Sequence, residues 1–104
     1  MGVKRGNTEY VYRTASPQLI SAERWEKLAA AGEVQRLGTP SVSWLGVPLV
    51  NTEEKVFGVM AIQSYDVNIR FNENDKNLFV FIAEQIAKTI ERKNWEEYLK
   101  KNKK

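Results

Sequence analysis

This chain has no cysteine and no histidine among its 104 residues. Without cysteine there can be no disulfide, thiolate metal site, thiol nucleophile or thioether-linked chromophore. Without histidine the commonest general base, the usual axial haem ligand and the usual zinc ligand are all missing. Serine, lysine and carboxylate chemistry remain available, but a non-enzymatic role is the expectation. Apolar runs are short, so no transmembrane helix is expected. The leading MGVKRGNTE lacks the apolar centre of a signal peptide. A soluble protein of a reducing, cytoplasmic compartment is the default.

The formal charge is +3. Six basic residues from Arg92 onward (Arg92, Lys93, Lys100, Lys101, Lys103 and Lys104) face only Glu96 and Glu97, so this end carries +4 and the remainder −1. The basic excess is therefore a tail property, and no nucleic-acid or membrane partner is expected.

The length fits one domain, with a core over about residues 6–92 and a basic, helical or frayed tail over 93–104. After a polar lead-in, Asn7 or Thr8 can cap a helix from near Glu9, whereas Tyr10-Val11-Tyr12-Arg13-Thr14 favours a strand. That conflict stays open. Gln18-Leu19-Ile20 reads as a short strand. Ser21 reads as an N-cap for a helix carrying Trp25, Leu28 and Ala29 on one face and stopping at Gly32. Gly38 and Pro40 break the connection that follows.

The centre of the chain is SWLGVPLVNTEEKVFGVMAIQSYD, residues 43–66. Two apolar runs, 43–50 and 56–65, flank a polar link and predict an antiparallel pair of strands buried on both faces. Pro48, lacking an amide donor, calls for an edge position, a bulge or a skipped ladder bond. Asn72 reads as the cap of a last helix, with Asp75 reaching back to it. Leu78, Ile82, Ile86 and Ile90, widened by Phe79, Ala83 and Ala87, form its expected packing stripe. The helix is long enough to continue through Trp95, Tyr98 and Leu99. Helices on a two-sided sheet make an α+β layered domain.

WLGVPL followed by a loop and GVMAIQSY, then F-x-x-x-D at Phe71 and Asp75, then IAEQIAKTIER, together resemble the later part of a GAF domain. The likeness runs over about residues 6–93. It implies a GAF-like (profilin-like) antiparallel sheet, truncated by the lack of the family's first helix and two strands. It also implies a sensory module of signal transduction, of the kind found with histidine kinases, cyclases and phosphodiesterases. Any kinase or cyclase output domain would lie outside this chain. Strand 56–65 would then lack its usual neighbour, as in a fragment, a natural truncation or half of an intertwined dimer; of these a homodimer or intertwined self-association is favoured. Bilin attachment needs cysteine and haem-binding members generally use histidine, so no such cofactor is expected. The cyclic-nucleotide pattern is matched at Phe71 and Asp75 only. Lys76 replaces its glutamate and Gln63-Ser64 its Asn-Lys pair, which disfavours that ligand.

An unidentified small molecule held between the sheet and helix 21–31 would meet Trp25, Trp44, Met60, Ile62, Gln63 and Tyr65. The plainer reading of Trp25, Trp44, Met60 and Ile62 is core, and of Gln63 and Tyr65 an exposed strand end. With a filled pocket, the module would be a degenerate, ligand-free dimerisation unit.

Overall fold

A computed structural model describes residues 6–36 and 41–101. The expected lead-in over residues 1–5, the breaks at Gly38 and Pro40, and the last tail residues lie outside those described. The elements run α1 (Asn7–Thr14), β1 (Gln18–Ser21), α2 (Ala22–Ala30), β2 (Ser43–Val50), β3 (Val56–Ser64) and α3 (Glu73–Lys101). The strands form one antiparallel sheet in the order β1-β2-β3.

The conflict over residues 9–15 resolves as helix. Local β preference loses because a helix buries Val11 completely while Tyr10 packs against the same core. The cap is Gly6 rather than Asn7 or Thr8, which lie within the helix. Ala15, left-handed at φ 53°, ends it, and its N–H donates to Val11 O at 2.8 Å.

Ser21 caps α2 as expected, its Oγ accepting the Arg24 N–H at 3.1 Å. Gly32 takes φ +80°, a conformation any side chain would strain. There its N–H reaches Ala29 O at 3.1 Å and Glu33 N–H reaches Leu28 O at 2.9 Å. These paired bonds close the helix in a Schellman arrangement.

β2 and β3 form the predicted hairpin. Its link folds around the Asn51 side chain, whose Oδ1 accepts from Glu53 N at 2.9 Å and Lys55 N at 3.0 Å. Pairing with β1 ends at Gly46, so Pro48 lies beyond it and pairs only with Val59 of β3; the register then shifts between Leu49 and Val50. Both features accommodate the missing amide.

One expectation about this hairpin needs correction. β2 is buried on both faces from Ser43 to Val47, but β3 is not. Phe57 and Ile62 are 40% exposed, because β3 is an edge strand and α3 lies over β2 and β1 while scarcely approaching it.

α3 begins with a reciprocal cap. Asn72 N–H donates to Asp75 Oδ2, and Asp75 N–H to Asn72 Oδ1, both at 2.9 Å. Asn72→Ala should cost about 1 kcal/mol, read as a lower urea midpoint at unchanged slope. The helix runs unbroken through Trp95, Tyr98 and Leu99 to Lys101.

Its packing stripe also differs from expectation. Ala83 and Ala87 are the buried residues, flanked by partly buried Phe79, Val80 and Ile90. Leu78, Ile82 and Ile86 are 59%, 38% and 36% exposed. A four-residue step advances about 400° around an α-helix, so each member of such a row sits about 40° beyond the last. The row from Leu78 to Ile90 therefore winds from solvent towards the sheet and cannot lie on it throughout.

Candidate functional site

The register divides the expected site residues between the two faces of the sheet. Directly paired residues of an antiparallel ladder point to the same side, and successive residues alternate. Trp44 pairs with Ile20 and with Gln63, and this face is covered by α1 and α2. Leu45 pairs with Ile62 and Val47 with Met60, and this is the face towards α3. Tyr65 follows the end of β3, and its hydroxyl donates to Gln63 Oε1 at 3.4 Å. Trp25, Trp44 and Gln63 thus belong to one side of the sheet, while Met60 and Ile62 belong to the other. Among the described residues the register keeps the six from lining one face of the sheet.

On the α2 side the space is occupied. Val11, Ile20, Trp25, Val34 and Trp44 form one buried cluster, with Tyr10, Leu28, Ala29 and Val59 packed against it. The Trp44 ring lies over Gly46, where a Cβ would collide with it and stand 3.1 Å from Val11 Cγ2. The indole fills space that a larger residue at position 46 would need. Gln63 is exposed beside this cluster.

The polar groups near the cluster are committed to each other. Arg24 donates to Leu19 O and to Gln18 Oε1, each at 2.8 Å, and Gln18 Nε2 donates to Thr14 Oγ1 at 3.2 Å. This chain ties α2, β1 and α1 together. Arg13 donates to Glu33 Oε1 at 3.0 Å and Glu33 O at 2.7 Å, bonds Glu9, and stacks over the Tyr10 ring at 5.3 Å. The hydrogen bond to Glu33, followed by the contacts with Glu9, raises the pKa of Arg13 and keeps its charge in place.

The two residues of the F-x-x-x-D pattern have local tasks. Phe71 N–H donates to Ser43 Oγ at 3.0 Å, anchoring the start of α3 to β2, and Asp75 is half of the cap described above.

The α3 side holds a shallow apolar groove of about 240 Å³ between Ala15, Pro17 and Val47 on one wall and Val80, Ala83 and Ala87 on the other. Glu84 is its one charged lining residue among those described. Beyond the sheet, Trp95 stacks on Tyr98 with centroids 5.3 Å apart beside Thr52, whose Oγ1 donates to Glu91 Oε2 at 2.9 Å. Among the described residues no group of three or more acidic side chains could hold a metal ion. No described helix is long and apolar enough to cross a membrane.

Sequence reasoning expected strand 56–65 to lack a neighbour, and β3 is an edge strand among the described residues; it missed that α3 also stands off from β3. The signal for it was the Ala83/Ala87 pair, since alanines four apart mark the line where a helix backbone can come closest to a sheet.

The GAF domain family model matches residues 2–90. A solved structure described as the structure of the GAF domain superposes with a TM-score of 0.63 at 19% identity, over 85% of this chain and 46% of that one. At that identity the likeness speaks for the fold, and this chain spans less than half the length of its neighbour. No curated protein matches the sequence. A family match over most of the chain, on a mixed antiparallel sheet with helices on both faces, shows that the chain belongs to the GAF domain family of signalling and regulatory modules.

Proposed function

We propose that this chain is a non-catalytic regulatory unit that works by associating with a second copy of itself, rather than by holding a small molecule between the sheet and α2. The observation that carries the ligand-free part of this reading is the Trp25–Trp44 cluster, which fills the space between the sheet and α2. A ligand there would have to displace two buried indoles, and their burial is among the larger contributions to a core of this size. The missing histidine and cysteine support the non-catalytic part. In this reading the unit acts in the cytoplasm, binds neither nucleic acid nor membrane, uses no cofactor, and passes its state to an output domain such as a histidine kinase or cyclase.

A thermal-shift screen with nucleotides, cyclic nucleotides and small aromatic metabolites tests the ligand-free half of the proposal. No compound is expected to raise the melting temperature of the native chain. A stabilising compound whose effect disappears in Gln63→Ala, a change at an exposed position beside the cluster, would overturn it.

A further inference from the structure

We infer that the contact between Thr52 and Glu91 is a latch through which the β2–β3 link sets the pose of the C-terminal half of α3. The inference goes beyond the self-association proposed above and does not depend on it. Glu91 follows Ala83 and Ala87 at the same four-residue spacing, so it lies one turn beyond Ala87 and about 40° round the helix from it. It thus continues the line on which α3 meets the sheet, and sets a carboxylate where the two earlier positions carry methyl groups. From Glu84 onward it is also the one charged residue among those described on this helix that is partly buried.

A carboxylate withdrawn from water needs hydrogen-bond donors, and the link supplies two. Thr52 N–H at 3.3 Å and Thr52 Oγ1 at 2.9 Å both donate to Oε2 of Glu91. Bonds to an ionised acceptor are the stronger kind. The donors are presented by a turn with its own internal bonds. Asn51 Oδ1 accepts from Glu53 N and Lys55 N, while Asn51 N–H donates to Lys55 O and Glu54 N–H to Asn51 O, both at 2.9 Å. Glu54 takes φ 63° within this turn.

At the other end of the contact, Phe71 N–H donates to Ser43 Oγ at 3.0 Å just before α3 begins. The buried residues between these two polar points are Ala83 and Ala87. Residues 92–101 beyond the latch are exposed. Opening the latch leaves the start of α3 anchored at Ser43 and frees the part past Ala87 to take another pose. The state of an exposed turn then selects between two positions of one continuous helix.

The chain has no cysteine, so spin labels can be placed at chosen exposed positions. Lys27→Cys on α2 is paired with Glu97→Cys beyond the latch and, as a reference, with Asn77→Cys before the alanines. Because the chain is expected to sediment as a dimer of twice 12.0 kDa, labelled chains are mixed with an excess of unlabelled ones. Double electron–electron resonance then reads distances within one copy. With the native link, a narrow distribution is expected between positions 27 and 97. Glu91→Ala removes the acceptor, and Thr52→Glu sets carboxylate against carboxylate. Each should shift or broaden that distribution by about 2 Å or more, which a tilt of under about 10° produces over the ten residues from Ala87 to Glu97. The distance between positions 27 and 77 and the helical circular dichroism should stay as in the native chain. Thr52→Ser, which keeps both donors, should keep the narrow distribution. An unchanged distance between 27 and 97 in Glu91→Ala and Thr52→Glu would overturn the latch. So would an equal change between 27 and 77, which would mean that the whole helix had come loose. A broad distribution in the native chain, or Thr52→Ser behaving like Thr52→Glu, would overturn it too.

Discussion

Trp44→Ala is expected to destabilise the fold by about 3–5 kcal/mol, the range for deleting a large buried aromatic. Trp44 is 5% exposed and joins elements distant in sequence: Val11 of α1, Ile20 of β1, Trp25 of α2 and Val34 beyond it. Removing the indole takes its contacts from all of them at once and leaves a void that Gly46 is too small to occupy. Native domains are stable by only about 5–15 kcal/mol, so a large share of the total is lost. Urea denaturation followed by circular dichroism measures the change. A loss below about 1 kcal/mol would show that the cluster is not the core of the domain.

Gly46→Ala is the second large effect, and its size depends on Trp44. The added Cβ runs into the indole and stands 3.1 Å from Val11 Cγ2, and the ring is buried in a cluster with Ile20, Trp25 and Val34, so moving it disturbs its neighbours too. Overpacking of this kind costs about 1–3 kcal/mol. In a Trp44→Ala background the obstructing ring is absent, and the same methyl should cost little. The double variant is therefore expected to be less destabilised than the sum of the two single changes, by an amount set by the clash. Denaturation of the four species gives that coupling directly. Additive losses would mean that position 46 dislikes alanine for a reason other than the indole.

These two residues also show how far the fold could be read beforehand. The β2 run was bounded correctly at Ser43 and Val50, because turn residues and a proline-bearing apolar run mark it from both sides. Ser21, Gly32, Asn72 and Asp75 were legible because caps and stops are local: each works through atoms within a few residues of itself. The GAF likeness rested on patterns spread over about residues 6–93, and the family match covers residues 2–90.

What stayed hidden depended on partners remote in sequence. Residues 10–14 have strand-forming side chains, and only the burial of Val11 against the core makes them helical. On α3 the conspicuous Leu78–Ile82–Ile86–Ile90 row drew attention away from Ala83 and Ala87, although steps of four drift around the helix. The two sides of the sheet were also merged. Placing Met60 and Ile62 with Trp44 required knowing the register, and the register sends them to opposite faces.

The smallness of the α3 contact has a mechanical consequence. At the closest approach of α3 to the sheet the buried side chains are the methyls of Ala83 and Ala87, flanked by partly buried Phe79, Val80 and Ile90. From Ala87 to Lys101 the helix extends about 21 Å, so a tilt of about 5° at the alanines would swing its far end by about 2 Å. The Thr52–Glu91 hydrogen bonds tie the helix to the β2–β3 link one turn past the alanines, so a slight adjustment of that link would be carried, enlarged, through the Trp95–Tyr98 segment to the basic end of the chain.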